Sequence, residues 1–381
     1  MDFNFKEEQQ QFGDALKRWV GKDYSFEARK KIIGSEAGVS DAAWATLAEL
    51  GMTALPVPEE QGGFNGSAVD MFVVMQELGR GLVVEPYFAT VLGAEFLRRG
   101  GGHASLLEQV AGGELKLACA LGEKQSRHDL CDIATTATLE AGGYVLNGRK
   151  NVVLHGAQAG SLIVSARSGG AQRDADGISL FVLPAATAGV RVTDYRTLDG
   201  QRAADIVFDG VRVGADALVG GAGGGWSVLE AAADYGAGLL CAEALGAMEA
   251  IFEATLEYLK TRSQFGVPIG KFQALQHRMA DMYIHLEQAR SMALLAAVKL
   301  GGDDANERRR AVSAAKFRVG QALKFVGQQA VQLHGGMGVT DELPAAHHFK
   351  RLTMIELTLG DSDHHLARFM ALPGFAQGGE A

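Results

Sequence analysis

The sequence predicts an α+β protein with segregated elements: a helical N-terminal region, a strand-rich middle and a long helical C-terminal region. Three observations predict it. Apolar residues recur at helical spacing through residues 1–115. Short β-type runs divided by turn residues fill 116–225. Long helical patterns then occupy most of 226–381. Strands gathered in one block, rather than alternating with helices, exclude a doubly wound dinucleotide-binding sheet.

The elements follow in order. In WATLAELGMTALPV, Trp44, Leu47, Leu50 and Met52 lie mostly on one helix face, and Gly51, Pro56 and Pro58 end the element. VDMFVVMQELGRGL and ATVLGAEFLRR continue the helical pattern. GYVLNGRKNVVL, SLIVSA, GISLFVLP and AADIVFDGVRV read as strands, with Asn147-Gly148 and Asp209-Gly210 as hairpin-type turns. The run Gly220, Gly221, Gly223, Gly224, Gly225 precedes Trp226-Ser227, without the Lys-Ser/Thr of a phosphate loop, so it reads as a strand-to-helix connection. GAGLLCAEALGAMEAIFEATLEYLKTR and DMYIHLEQARSMALLAAVKL read as long bundle helices, with GDDANERRR dividing two of them and FAQGGEA as a frayed tail.

Bulk properties narrow the classes. With 381 residues, 47% hydrophobic and 21% charged, the chain has the composition of a globular protein of two or three domains. The formal charge of −9, from 36 basic and 45 acidic residues, argues against nucleic acid or an anionic membrane as partner. No apolar run has the length of a membrane span, and MDFNFKEEQQ lacks the basic and apolar regions of a signal peptide. Cys119, Cys131 and Cys241 show no metal-type spacing and cannot all pair, which predicts a reducing, cytoplasmic setting.

The most informative stretch is TRSQFGVPIGKFQALQHRMADM. Gly266, Pro268 and Gly270 break a helix there, and one reading is a solvated loop between two bundle helices. The functional reading places Arg262 and Gln264 at a helix end beside a turn, where a guanidinium and an amide can grip a pyrophosphate. Phe265 offers an apolar face to an adenine or a neighbouring subunit.

R-x-Q-F-G-x-P-I, then Q-x-L-Q-x-x-x-A-D-M, then Q-L-H-G-G-M-G resembles the C-terminal domain of acyl-CoA dehydrogenases. W-x-x-L-A-E-L-G-M with P-E-E-Q-G-G-F resembles that family's N-terminal domain. G-Y-V-L-N-G-R-K and D-G-V-R-V-G-A-D-A-L-V-G resemble its middle domain. The resemblance spans the chain and is nearest to the small subunit of pimeloyl-CoA dehydrogenase-type enzymes. It implies an N-terminal helical domain (1–115), a middle β-barrel or sandwich domain (116–225) and a C-terminal four-helix bundle (226–381). It further implies FAD-dependent α,β-desaturation of an acyl-CoA thioester, with electrons passing to an electron-transferring flavoprotein. By position, Arg262, Gln264, Phe265, Gln273 and the Gln332–Gly336 segment, with Gly335 and Gly336, would contact FAD across a subunit interface.

Departures from the family pattern matter as much. The usual glutamate base, followed by Gly-Thr, falls here on Leu359, followed by Gly360 and Asp361. The alternative glutamate position on an earlier helix falls on Gly236. Asp234 lies about 200° round a helix from it, and Glu243 about 10 Å along the axis. The family's Thr-Glu-Pro is Gly122-Glu123-Lys124, and its Trp-Ile-Thr-Asn is Val152-Val153-Leu154-His155. Three readings compete: a heteromeric α2β2 assembly whose homologous partner supplies the base; a self-sufficient enzyme using Asp361 or Asp363; and a non-catalytic scaffold. The acyl group is not readable.

His347-His348 and His364-His365 suggest metal ligands, but adjacent helical residues point about 100° apart, so no metal site is assigned. Glu307–Arg310 reads as a solvated loop and helix start, with a contact to the 3′-phosphate of CoA as the alternative. Met279, Met282, Met292 and Met337 fall at core-like spacing.

Overall fold

A computed structural model describes residues 5–373; the FAQGGEA tail lies outside them. Six helices come first: α1 (Glu7–Lys22), α2 (Phe26–Gly34), α3 (Asp41–Glu49), α4 (Ala68–Arg80), α5 (Tyr87–Gly100) and α6 (Ala104–Ala111). Seven strands follow: β1 (Leu117–Ala120), β2 (Thr136–Glu140), β3 (Gly143–Leu154), β4 (Ser161–Arg167), β5 (Ile178–Pro184), β6 (Val190–Arg196) and β7 (Arg202–Gly214). The remainder is helical: α7 (Trp226–Thr261), α8 (Gln273–Leu300), α9 (Ala305–His334), α10 (Pro344–Leu357) and α11 (Ser362–Met370). A hairpin of β8 (Ser263–Gln264) and β9 (Val267–Pro268) joins α7 to α8. No helix among the described residues is long and apolar enough to cross a membrane, and no group of three or more His, Cys, Asp or Glu there could hold a metal.

The chain folds as two compact units. One comprises Lys31–Ser67 and Val84–Gly236 and is built on a seven-stranded sheet of order β1-β4-β2-β3-β7-β6, with β5 also on β4. Leu146, Leu162, Val164, Phe181, Ile206 and Phe208 lie in its fully buried core. The two Gly dipeptides are not hairpin turns. Asn147-Gly148 lies inside β3 and Asp209-Gly210 inside β7, and the pairing of these strands slips between Leu146 and Gly148. Gly210 N donates to Asn147 Oδ1 at 2.8 Å, so two residues of one strand oppose one of the other in a bulge. A Cβ at Gly148 would lie 2.4 Å from Thr135 Oγ1, which explains the glycine without a turn. The actual two-residue turn, between β2 and β3, is Ala141-Gly142, with Gly142 at φ 90°.

The other unit comprises residues 5–30, Ala68–Val83 and 237–373. Asp304 caps α9 by accepting from the backbone N–H groups of Asn306 and Glu307, so Glu307–Arg310 occupies the first turns of that helix. Within this unit α4 meets α7 backbone to backbone. A Cβ at Gly246 would lie 1.7 Å from the carbonyl oxygen of Gln76, and one at Gly79 would lie 2.1 Å from that of Glu243. Beside the crossing, the buried carboxylate of Glu249 accepts from Gln76 (2.8 Å), Arg80 (2.6 Å) and Arg290 (2.7 Å). Arg29, 1% exposed, donates to the carbonyl of Leu82 (2.7 Å) and to His347 Nδ1 (3.0 Å). His347 Nε2–H in turn donates to the carbonyl of Asp341 at 3.1 Å, which fixes a neutral tautomer.

Two outcomes follow. Gly246→Ala should cost about 2–3 kcal/mol, because backbone and not a flexible tip must yield, read as a lower urea midpoint at unchanged slope. Burial holds His347 below the ordinary histidine value of 6.5 and pushes His348 down to about 3. The unfolded chain therefore takes up protons that the folded chain refuses, so stability is full above pH 6.5 and falls as pH drops below it. Urea midpoints at pH 7.5 and 5.5 should differ in that sense, and His347→Gln with His348→Leu should reduce the difference, the remainder coming from His365 and His285, which burial also lowers.

Candidate cofactor-binding and base-position site

Arg262 follows the last turn of α7, its N–H donating to the carbonyl of Tyr258 at 2.8 Å. The chain then reverses through Phe265 (φ 55°) and Gly266 (φ 81°), both in the left-handed region that a two-residue hairpin requires. The ring of Phe265 is 90% exposed and stands edge-on to Phe272 at 6.1 Å. Arg262, Gln264 and Gln273 are likewise exposed, the last as the first residue of α8.

The second segment ends α9. Gln332 is exposed and His334 buried, and the chain leaves the helix at Gly335, whose φ of 59° and ψ of −141° suit glycine alone. A Cβ at Gly336 would meet nothing within 4 Å, so the packing of this chain does not itself demand glycine there. The ring of Tyr258 stacks on that of His334 at 4.5 Å. The Tyr258–His334 contact sets the end of α7, which Arg262 follows, beside the end of α9 at Gln332–Gly336. An exposed guanidinium, exposed amides and a glycine backbone form a surface chemically suited to a diphosphate.

The corner between α10 and α11 holds Leu359. Its φ is 55°, and that of Gly360 is 104°. Lys316 of α9, 1% exposed, donates to the carbonyls of Ile355 (2.8 Å), Glu356 (3.2 Å) and Gly360 (2.9 Å). Loss of water pushes its ammonium down to about 8. His365 Nε2–H donates to the carbonyl of Leu359 at 2.9 Å. The Glu356 carboxylate accepts from Ser362 N (2.9 Å) and Oγ (2.6 Å) and pairs with Lys324 (2.7 Å). Asp361 caps α11, accepting from His364 N at 2.8 Å, while Asp363 is exposed. Glu243 is buried in a two-pronged pair with Arg351 at 2.6 and 2.8 Å. Gly236 and Asp234 are both buried within α7. The aliphatic side chain at 359 is therefore held in a tightly pinned turn, and Glu243, Glu356 and Asp361 each have structural partners.

In the sheet unit, Glu123 and Lys150 form a buried ion pair at 2.7 Å. Glu123 also accepts from the backbone N–H groups of Ala134 (2.8 Å) and Thr135 (3.1 Å), and Lys150 donates to Leu121 O and Ser165 Oγ. Burial brings Lys150 down to about 8; Glu123, though desolvated, is held below its ordinary value by that ammonium and its other donors. Val152 has a φ of 53° where β3 slips register between Lys150 and Val153, and His155, just past the strand, has the same φ. Asp205 secures the slip, accepting from Val152 N (3.2 Å), Tyr195 Oη (3.2 Å) and Arg149 (2.7 Å).

Lys316 and the Tyr258–His334 stack escaped the sequence reading. A signal for Lys316 was present: it stands on the face of Val312, Val319 and Leu323, where a lone charge at core spacing requires buried acceptors.

Three family models match: acyl-CoA dehydrogenase N-terminal domain over 6–105, middle domain over 118–211 and C-terminal domain over 223–371. The short-chain specific mitochondrial acyl-CoA dehydrogenase of Bos taurus is 30% identical over 327 residues, covering 83% of this chain and 78% of that protein. Among solved structures, the FAD complex of PigA aligns with a TM-score of 0.90 at 25% identity, over 99% of this chain and 100% of that one. A chain of the ChsE4–ChsE5 complex from Mycobacterium tuberculosis aligns with a TM-score of 0.87 at 27% identity, over 97% of each. The chain belongs to the acyl-CoA dehydrogenase family.

Lys316→Met should take the ammonium donor from three carbonyls, leaving that of Ile355 only the N–H of Thr358, and loosen the corner. Hydrogen exchange at residues 357–361 should rise at least about tenfold, while β4 and β5 keep their protection.

Proposed function

We propose that this chain is one subunit of an FAD-dependent acyl-CoA dehydrogenase that desaturates an acyl-CoA thioester at its α,β bond. A homologous partner in an α2β2 assembly supplies the catalytic glutamate. The observation that carries this reading is Leu359: the family's base position holds an aliphatic side chain in a turn that Lys316 and His365 pin. The cap formed by Asp361 and the exposure of Asp363 weigh against a relocated base.

FAD, when bound, supplies hydride acceptance from the β-carbon of the thioester. The chain's own residues do the holding. Arg262, Gln264 and Gln332 would meet the diphosphate from a neighbouring subunit, Gly335 and Gly336 would admit close backbone approach, and Phe265 and Gln273 would flank it. The sheet unit is less suited to a flavin of its own. Glu123 is occupied by Lys150 and two backbone donors, and Val152, Val153 and Leu154 offer no side-chain donor. The likeness to PigA in its FAD complex and to a chain of the two-protein ChsE4–ChsE5 complex supports the cofactor and the partner. Family membership supports an electron-transferring flavoprotein as acceptor, the three family-model matches support the division at 1–115, 116–225 and 226–381, and three free cysteines fit the reducing setting of a cytoplasmic location.

Purification decides between the readings. The chain alone should be colourless or poorly loaded, and co-expression with a homologous dehydrogenase subunit should yield a yellow assembly bleached by acyl-CoA. Flavin and bleaching in the lone chain would overturn the shared-site reading. In the assembly, Arg262→Ala should lower flavin content several-fold, about 1 kcal/mol or more of lost grip.

A further inference from the structure

The two segments assigned to the cofactor lie far apart in sequence, yet one side chain ties them. Tyr258 sits one turn before the end of α7, and its carbonyl takes the N–H of Arg262 at 2.8 Å. Its ring lies against His334, with centroids 4.5 Å apart and planes 29° from parallel, and its hydroxyl donates to the carbonyl of His334 at 3.5 Å. His334 is the last residue of α9, directly before Gly335. Its own ring is oriented by Nδ1–H donating to the carbonyl of Ala330 at 2.8 Å, so the surface that Tyr258 meets is fixed. The far side of the hairpin is fixed as well. Ile269 N donates to the carbonyl of Arg262 at 2.8 Å, and a Cβ at Gly270 would lie 2.9 Å from the carbonyl of Leu259.

We propose that Tyr258 and His334 are a positioning pair for the cofactor grip: their stack sets the spacing between the Arg262–Gln264 hairpin and the Gln332–Gly336 turn, so that both meet one diphosphate-containing ligand together. This rests on the FAD reading of those segments. The physical reason is preorganisation. An exposed arginine and an exposed glycine turn on separate helix ends would each lose freedom on binding, and a stack already made before the ligand arrives removes much of that cost. Aromatic stacking suits the task, because it fixes separation and tilt without spending the polar groups that the ligand needs.

The test uses the assembly that carries FAD, or the lone chain should that prove loaded. Flavin release is followed by fluorescence to obtain Kd, and the melting temperature of the apo-protein is recorded alongside. Tyr258→Leu and His334→Ala should each raise the Kd for FAD at least about tenfold while the apo-protein melts near the parent temperature. Tyr258→Phe and His334→Phe, which keep a ring on each side, should restore binding to near the parent value. Tight FAD binding by folded Tyr258→Leu would overturn the proposal, as would loss of binding in the folded phenylalanine variants. Should the leucine and alanine variants fail to fold, the phenylalanine pair still decides. Arg262→Ala separates the two levels of argument. If it releases FAD and the stack variants do not, the pair is only structural; if it too retains FAD, the assignment of the segments themselves fails.

Discussion

A single buried ammonium organises the end of the helical unit. Lys316 has left water almost completely, a cost that acceptors already in place offset, with the charges of Glu356 and Asp361 nearby. Three carbonyls are those acceptors, two from the last turn of α10 and one from the turn beyond it. Helix ends leave such carbonyls without partners, so the lysine and the helix terminus satisfy each other. The arrangement couples a residue of α9 to the path of the chain some forty positions later, and with His365 it decides the backbone conformation at Leu359.

That conformation is informative because leucine dislikes it. Left-handed backbone costs an L-residue about 1–2 kcal/mol, and it persists only where the surroundings insist. Seven non-glycine residues among those described have positive φ. Four of them are Val152, His155, Phe265 and Leu359, all at positions where the family resemblance places flavin contacts or the base. The β-branched Val152 is the most costly of these, and Asp205 holds it through its N–H. The backbone thus holds unusual shapes at these positions, two of which, Val152 and Leu359, carry aliphatic side chains. Packing alone would favour relaxing those turns.

How much of this was legible in the sequence follows from the range of each interaction. Helices and strands were readable because their periodicity is local, and the break after α7 was readable from Gly266, Pro268 and Gly270, though as a loop and not as the β8–β9 hairpin. Asn147-Gly148 and Asp209-Gly210 misled because each has turn chemistry, whereas their meaning lies in a pairing across strands that no local window contains. The Arg351–Glu243 pair spans 108 positions and the Tyr258–His334 contact 76, so neither leaves a local pattern. The glutamates were visible as letters, but whether a carboxylate is free to accept a substrate proton depends on such distant partners. Glu243, already set aside for its distance along the helix, is paired with Arg351; Asp361, a candidate base in the sequence, is occupied by the N–H of His364, and Glu356 by Ser362 with Lys324.

These constraints together favour a division of labour between chains. The polar groups suited to a diphosphate (Arg262, Gln264 and Gln332) lie on the surface, where another subunit's ligand can reach them. Groups that would serve a flavin and a proton transfer within this chain are either replaced by hydrocarbon or consumed in pairs such as Glu123–Lys150. A buried pair of that kind strongly resists reassignment, because freeing either partner leaves a charge without water or counterion. The grip can therefore be lent to a neighbour at little cost, whereas the chemistry cannot be recovered by moving one proton. On the shared-site proposal, a fold that exposes Arg262, Gln264 and Gln332 and carries Leu359 at the base position suits a supporting subunit, because those polar groups are accessible while Glu123 and Glu243 are buried in pairs.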